Sequence, residues 1–216
     1  MIKVKICGIT NLEDALLAAE AGVEALGFIF AESPRKISPE KAKGIIELLP
    51  PFIKTVGVFV NEEPVRIKEI VSFCGLDLVQ LHGEESPEIS RELMPRSVKA
   101  FRIKGEKDIQ AIEKYRGKVR AILLDTFQKG KAGGTGLTFD WTLAVKAKET
   151  GIPLILAGGL GPENIQEAIR TVQPYAVDVN SGIEEKPGKK DPVLLRRLME
   201  KIKGYRIQES ELRRKV

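Results

Sequence analysis

The chain alternates eight times between short apolar segments and amphipathic segments within about 200 residues. This alternation predicts parallel strands that are joined by helices through right-handed crossovers. The predicted strands are 2–7, 25–30, 54–60, 77–82, 97–102, 120–125, 153–158 and 175–180. The predicted helices lie near 11–21, 39–49, 62–73, 86–94, 106–116, 140–149, 162–171 and 191–203. Eight βα units of this length favour a single-domain α/β fold, the (β/α)8 TIM barrel.

A doubly wound open sheet is the alternative fold for the same order of elements. A dinucleotide-binding sheet of that type carries a G-x-G-x-x-G motif after its first strand, and no such motif is present here. A chain of 216 residues suits one domain with a single large core. We therefore predict a barrel over residues 1–205 and a C-terminal extension over residues 206–216, which is either helical or a loose tail.

The charge distribution bears on possible partners. The net charge is +5, and the segment 191–216 holds eight Lys or Arg against four Asp or Glu, so +4 of the +5 lies there. Because this segment is mixed in sign and nearly free of aromatic residues, a solvated helix is favoured over a nucleic-acid-binding surface. No apolar run approaches the roughly 20 residues that cross a bilayer, so we expect no membrane association.

The cysteine count bears on the compartment. Cys7 and Cys74 do not form a disulfide framework, and two cysteines with one histidine do not form a metal-ligand cluster. Cys74 lies late in an apolar helical segment, where packing is the favoured role. The chain starts directly with an alternating strand, so we expect no signal peptide and a cytoplasmic location.

Polar residues at the ends of several predicted strands need an explanation. Strands of a parallel barrel are buried on both faces, and active sites of this fold lie at the carboxyl ends of the strands. The polar residues at these ends are Lys5, Cys7, Gln80, His82, Asp125, Asp178 and Asn180. Most of them recur at alternate positions, so we predict one polar rim that faces the inside of the barrel.

These residues also have structural alternatives. Cys7 could be a small buried hydrophobe, but its place at a strand end beside polar neighbours favours a function. Asp125 ends an otherwise apolar strand, and burial of a carboxylate without a purpose would be costly, which favours catalysis. His82 could contact a ligand or only cap the loop that follows it. Lys5 could pair with Asp178 or Asp125 as structural support, or it could take part in the chemistry.

Two glycine-containing loops follow the last two strands. They are A-G-G-L-G-P-E-N at 157–164 and N-S-G-I-E at 180–184. Glycine permits close approach of the backbone to a ligand, and successive N–H groups near a helix N-terminus bind anions. The loops after strands seven and eight are a frequent phosphate site in this fold. The predicted donors are Gly158, Gly159, Ser181 and Gly182, although both loops could be only tight turns.

Two further loops could contribute to the mouth of the barrel. The segment 127–136 is rich in Gly and Lys and could form a flap that excludes water when it closes. The turn S-P-R-K-I-S-P at 33–39 places Arg35 at the mouth, where a guanidinium group can bind a carboxylate through two hydrogen bonds. Either loop could also be a plain connection.

With these residues assembled, the sequence resembles the phosphoribosylanthranilate isomerase family of tryptophan biosynthesis. The resemblance runs from about residue 3 to residue 204. The motifs that carry it are K-I-C-G-I-T (5–10), S-P-R-K-I-S (33–38), G-V-F-V-N (57–61), V-Q-L-H-G (79–83), L-L-D-T (123–126), G-G-T-G-L-T-F-D-W (133–141), G-G-L-G-P-E-N (158–164), D-V-N-S-G-I-E (178–184) and P-G-K-K-D (187–191).

The resemblance implies an Amadori rearrangement of N-(5-phosphoribosyl)anthranilate to the corresponding 1-amino-1-deoxyketose. It implies Cys7 as general base, Asp125 as general acid and Arg35 as the partner of the anthranilate carboxylate. His82, Asp178 and Asn180 join the glycine loops as expected substrate-binding residues. The resemblance implies no metal or organic cofactor. The expected ligand is a small phosphosugar, and the expected assembly is a monomer or a homodimer.

The sequence leaves two alternative functions to compare with this one. The isomerase of histidine biosynthesis is a related phosphosugar barrel, but that family has a carboxylate at the position of Cys7. A non-catalytic phosphate-ligand sensor would be expected to lack one member of the acid–base pair, whereas both are present here. A thiol becomes a good base only when ionised, so we also hypothesise that the positive charge of Lys5 lowers the pKa of Cys7.

Overall fold

A computed structural model describes residues 2–103, 105–125 and 141–214. Eight parallel strands close into one barrel in sequence order, with the first strand beside the last. The strands are β1 (Lys3–Ile6), β2 (Ala25–Ile29), β3 (Lys54–Phe59), β4 (Leu78–Leu81), β5 (Ser97–Arg102), β6 (Ala121–Asp125), β7 (Leu154–Ala157) and β8 (Ala176–Val179). The predicted (β/α)8 barrel is therefore confirmed.

Helices follow the strands in the predicted order. They are α1 (Leu12–Ala21), α2 (Pro39–Ile46), α3 (Pro64–Cys74), α4 (Pro87–Glu92), α5 (Glu106–Glu113), α6 (Trp141–Ala147), α7 (Ile165–Val172) and α8 (Pro192–Arg214). Side chains of Asn11 and Ser38 accept hydrogen bonds from backbone N–H groups in the first turns of α1 and α2, which fixes where these helices begin. Helix α8 runs eleven residues beyond the predicted end near 203, into the extension for which either a helix or a loose tail was predicted.

The two faces of each strand serve different cores. Val4 and Ile6 of β1 point away from the barrel axis and belong to the main hydrophobic core, which lies between the strands and the helices. The inward positions of β5, β6 and β7 form a second, smaller cluster of Val98, Ala100, Ala121, Leu123 and Ala157. By the same alternation Lys5 and Cys7 face the lumen of the barrel, as predicted for the polar rim.

A short antiparallel hairpin follows β8 and was not predicted. A 3₁₀ turn (Ser181–Ile183) leads into β9 (Glu184–Lys186), which pairs with β10 (Lys189–Lys190) before α8 begins. The predicted flap at 127–136 lies outside the described residues. Among the described helices none is long and apolar enough to cross a membrane.

Candidate active site

The Cys7 thiol is buried at the carboxyl end of β1, with 5% of the residue exposed. Its space is provided by Gly27 of the neighbouring strand β2. A Cβ atom at position 27 would lie 2.7 Å from Cys7 Sγ, closer than real Cβ atoms approach a heavy atom, and 3.1 Å from Lys5 Cε, which is tighter than most real contacts. The absence of a side chain at Gly27 therefore creates the compartment that holds the thiol and the lysine together.

Lys5 is the charged group closest to this thiol along β1. Its Nζ lies 2.8 Å from Asp178 Oδ2 and 3.0 Å from Gln80 Oε1, and all three side chains are buried. Of the two partners considered from the sequence, the structure selects Asp178. Burial alone would lower the pKa of Lys5, but the negative charges of Asp178 and ionised Cys7 outweigh it, so the pKa is raised.

The same charges act on the thiol. Burial raises the pKa of Cys7, the positive charge of Lys5 lowers it, and the negative charge of Asp178 raises it again. The net direction is upward, so the effect hypothesised for Lys5 has the expected sign but does not overcome burial. A ligand that brings positive charge next to Cys7 would favour the thiolate further.

The carboxyl group of Asp125 lies at the end of β6, on the inward side of the strand and half buried. His82 Nε2 lies 3.6 Å from Asp125 Oδ2. On the other side of the ring, His82 Nδ1 lies 2.9 Å from Gln80 Nε2. Gln80 thus links His82, which lies beside Asp125, to Lys5, which lies beside Cys7.

The two glycine loops contact each other. Gly158 and Gly159 have φ values of 89° and 62°, in the left-handed region that glycine adopts readily. A Cβ atom at Gly182 would lie 2.0 Å from the carbonyl oxygen of Leu160, so the 3₁₀ turn after β8 packs on the loop after β7 at backbone distance. This juxtaposition brings the four predicted phosphate donors to one side of the mouth, with Ser181 at the start of the 3₁₀ turn.

Arg35 forms an ion pair with Glu184 that the sequence did not indicate. Its Nε lies 2.9 Å and its Nη2 2.6 Å from the two carboxylate oxygens of Glu184, in a two-pronged ion pair. The hydrogen bonds that Arg35 donates to Glu184 raise the pKa of Arg35. Burial alone would raise the pKa of Glu184, but hydrogen bonds from Arg35 and Lys190 lower it. The carboxylate therefore stays charged and fixes the guanidinium.

Lys190 completes this cluster from the hairpin. Its buried Nζ lies 2.9 Å from Asn180 Oδ1 and 2.9 Å from Glu184 Oε1. Glu184 and Lys190 lie within two motifs of the family resemblance, but the sequence indicated no role for either residue. The signal that could have found them is a charged pair that flanks a Pro-Gly turn directly after the last strand. Gly8 (φ 75°) permits the close packing, since a Cβ there would lie 2.7 Å from Asn180 Oδ1.

No group of three or more His, Cys, Asp or Glu residues within 2–103, 105–125 and 141–207 could hold a metal ion. The polar groups at the mouth are instead suited to hydrogen bonding and proton transfer. Together with the adjoining glycine loops on the last two strands, they define the class of barrel enzymes that act on small phosphosugars.

Comparisons with known proteins identify the family within that class. A family model described as N-(5'-phosphoribosyl)anthranilate (PRA) isomerase matches residues 4–201. The N-(5'-phosphoribosyl)anthranilate isomerase of Geobacter sulfurreducens is 54% identical over 206 residues, which cover 95% of this chain and all of that protein. The chain belongs to the phosphoribosylanthranilate isomerase family, and it is an isomerase of tryptophan biosynthesis.

Two solved structures agree with this assignment. One is a phosphoribosyl anthranilate isomerase in complex with reduced 1-(o-carboxyphenylamino)-1-deoxyribulose 5-phosphate, 46% identical with a TM-score of 0.85, covering 94% of this chain and 100% of that one. The other comes from the dimeric enzyme of Thermotoga maritima, crystallised as monomers, 45% identical with a TM-score of 0.84 over the same shares of the two chains.

Proposed function

We propose that Cys7 is the general base and Asp125 the general acid of the Amadori rearrangement of N-(5'-phosphoribosyl)anthranilate. The observation that carries this assignment is that the thiol and the carboxyl lie at inward-facing strand ends of one barrel mouth. The row of contacts through Lys5, Gln80 and His82 lies between them. A furanose at this mouth can therefore present its ring oxygen to one group and its C2–H bond to the other.

The reaction is a sequence of proton transfers without net oxidation. Asp125 gives its proton to the furanose oxygen as the C1–O bond breaks, and the lone pair of the anthranilate nitrogen forms the C1=N bond of an iminium ion. The Cys7 thiolate then removes the C2 proton, and the electron pair of that C–H bond forms C1=C2 while the C=N pair returns to nitrogen. In the resulting enol, C1 takes up a proton and the C2 hydroxyl loses its proton, which gives the C2 ketone of the product. Since two proton-transfer groups suffice, we propose that neither a metal nor an organic cofactor takes part.

Substrate binding is assigned to the remaining groups. Backbone N–H groups of Gly158, Gly159, Ser181 and Gly182 are proposed to bind the phosphate, since the two loops meet at backbone distance. Asp178 Oδ1 is buried and has no hydrogen-bond partner among the described residues, so it can accept a hydrogen bond from a sugar hydroxyl. His82 and Asn180 border the same mouth.

Arg35 is proposed to bind the anthranilate carboxylate. Glu184 engages the Nε and Nη2 groups of the guanidinium, and among the described residues Nη1 has no protein acceptor. The guanidinium therefore keeps donors for a second carboxylate while Glu184 holds it in place. The ligand of the crystallised relative carries the same chemical groups, a carboxyphenyl amine and a phosphate.

All groups in this proposal come from one chain, so a single chain would suffice for the chemistry. The assembly is proposed to be a monomer or a homodimer. Both cysteines of the protein are free, which is consistent with a reducing cytoplasm. The domain boundaries, with the barrel at 1–205 and the C-terminal extension at 206–216, remain our proposal.

The assignment is tested by following the decay of anthranilate fluorescence when fresh substrate meets the purified protein. Cys7→Ala and Asp125→Asn are each expected to lower kcat by about 100-fold or more, the range contributed by a positioned acid or base. Cys74→Ala is the matched control, because Cys74 is a free thiol that packs between helices, with its Sγ 3.3 Å from the carbonyl oxygen of Pro39. Near-normal turnover in either site variant would refute the roles proposed here.

A further inference from the structure

A continuous row of polar side chains crosses the lumen from β8 to β6. It consists of Asp178, Lys5, Gln80, His82 and Asp125, and we refer to it as the polar row. Successive contacts in it measure 2.8, 3.0, 2.9 and 3.6 Å. Gln80 is the central member, with 2% of the residue exposed, and it is hydrogen-bonded at both ends of its amide.

The direction of each hydrogen bond in this row is fixed by chemistry. A lysine ammonium has only donors, so the atom of Gln80 that faces Lys5 must be the carbonyl oxygen. The amide NH₂ of Gln80 then faces His82 Nδ1, and this ring nitrogen must accept. The proton of the neutral imidazole is left on Nε2, the atom nearest to Asp125.

We propose that Gln80 is a positioning residue, which holds His82 as the Nε2–H tautomer so that the imidazole donates to the carboxyl group of Asp125. This inference rests on the proposed role of Asp125 as general acid. After Asp125 has protonated the sugar, its carboxylate is stabilised by the Nε2–H group. A hydrogen bond of this kind acts most strongly where charge develops during the reaction. The separation of 3.6 Å is expected to shorten in the substrate complex, as catalytic hydrogen bonds commonly do.

Two substitutions of similar size at position 80 are expected to affect the His82 tautomer differently. Gln80→Met removes both hydrogen bonds, so neither tautomer of His82 is selected. Gln80→Glu places an acceptor beside Nδ1, so the ring proton moves to Nδ1 and the bare Nε2 faces Asp125. Gln110→Met is the matched control, because Gln110 is an exposed residue of α5 away from the lumen.

The tautomer can be measured without turnover. The protein contains one histidine, so a two-bond ¹H–¹⁵N correlation spectrum of the ¹⁵N-labelled full chain reports His82 alone. The parent protein is expected to show a protonated Nε2 and a bare Nδ1, and Gln80→Glu the reverse. A parent spectrum with the proton on Nδ1 would overturn the proposal, whatever the activity of the protein.

Kinetics provide the second arm. Gln80→Met is expected to lower kcat about tenfold with KM changed less than about twofold, because an interaction made only in the transition state is lost. In a double-mutant cycle, Gln80→Met should cost less once His82→Ala is present, since the part of its effect that acts through His82 is then already lost. Additive losses, or an unchanged kcat in Gln80→Met, would refute the positioning role.

The two proposals can fail separately. Full activity of Asp125→Asn would refute the general-acid assignment even if the tautomer is as expected. A wrong tautomer with an inactive Asp125→Asn would refute only the role of Gln80. If Gln80→Glu fails to fold, the spectrum of the parent protein and the Gln80→Met cycle still decide the question.

Discussion

Two of the buried lysine–carboxylate pairs among the described residues differ in what surrounds them. Lys5 lies 2.8 Å from Asp178 inside the lumen, and Lys99 lies 3.2 Å from Glu85 on the outward side of β5. Both lysines are nearly inaccessible, with 5% and 2% of the residue exposed. Residue type and burial are thus the same, and the difference must come from the neighbours.

The neighbours of Lys99 are backbone groups. Its Nζ donates to the carbonyl oxygens of Gly83 and Ala100, and Glu85 accepts from the backbone N–H of Asn61. This pair therefore ties together the loops after β3 and β4. Lys5 instead contacts the Gln80 amide and acts on the charge of the thiol. On the proposed assignment, the buried lysine on the inward face of a strand serves the chemistry, whereas the one on the outward face serves the structure.

The pKa values of the two lysines are shifted in opposite directions. The pKa of Lys5 is raised because Asp178 and Cys7 outweigh burial. Burial lowers the pKa of Lys99, and the charge of Glu85 offsets this only in part. The lysine that faces the lumen thus keeps its charge more firmly than the lysine on the outward side of β5.

The largest expected effect is the loss of turnover in Lys5→Met. Without this charge the burial of Cys7 is unopposed from that side, so the thiolate becomes harder to form and kcat near neutral pH should fall on the order of 100-fold. The pH at which activity rises should move upward in the pH–rate profile. An unmoved profile would show that Lys5 does not control the thiol and would remove the contrast between the two pairs.

Lys99→Met should instead lower stability. Breaking a buried pair leaves Glu85 uncompensated, which costs about 3–5 kcal/mol in the free energy of unfolding measured with urea. At a temperature where the variant remains folded, its kcat should stay within about twofold of the parent value. A loss of kcat comparable to that of Lys5→Met would contradict the structural role of this pair.

A finer effect is the dependence of stability on alkaline pH. Since the folded pKa of Lys5 is raised, the advantage of the parent over Lys5→Met is fully present below about pH 10.4, the ordinary lysine value, and is lost as the pH rises through the folded pKa. Since the folded pKa of Lys99 is lowered, the parent should gain on Lys99→Met as the pH rises toward about 10.4. Urea unfolding at a series of pH values measures both differences, and slopes of the same sign would contradict the opposite shifts.

The smallest effect is expected at the surface. Lys68 pairs with Glu92 between α3 and α4, with side chains 53% and 49% exposed. Lys68→Met should change the free energy of unfolding by less than about 1 kcal/mol, because solvent screens exposed pairs. A cost as large as that of Lys99→Met would mean that burial is not what separates the pairs.

The fold was predictable because the alternation of apolar strands and amphipathic helices is a local pattern. The inward placement of Cys7, His82 and Asp125 followed from the period of two along each strand. The partner of Lys5 was left open between Asp178 and Asp125, because that choice depends on the register between β1 and β8, which are far apart in sequence. Local patterns carry no information about such register.

Other parts of the site depended on contacts that no sequence period encodes. The Glu184 ion pair of Arg35 joins residues 149 positions apart, and Lys190 enters from a hairpin too short to give a strand pattern. The continuation of α8 beyond residue 203 was left open between a helix and a loose tail, because only three of the eleven residues at 204–214 are apolar and mark no clear stripe.

The register that places Lys5 directly opposite Asp178 also joins two strands that are far apart in the chain. Lys5 is synthesised about 170 residues before Asp178. A nascent chain can therefore neither close the barrel nor form this ion pair until β8 has been made. Catalytic competence therefore requires that β8 has been made, and products truncated before β8 should be catalytically silent.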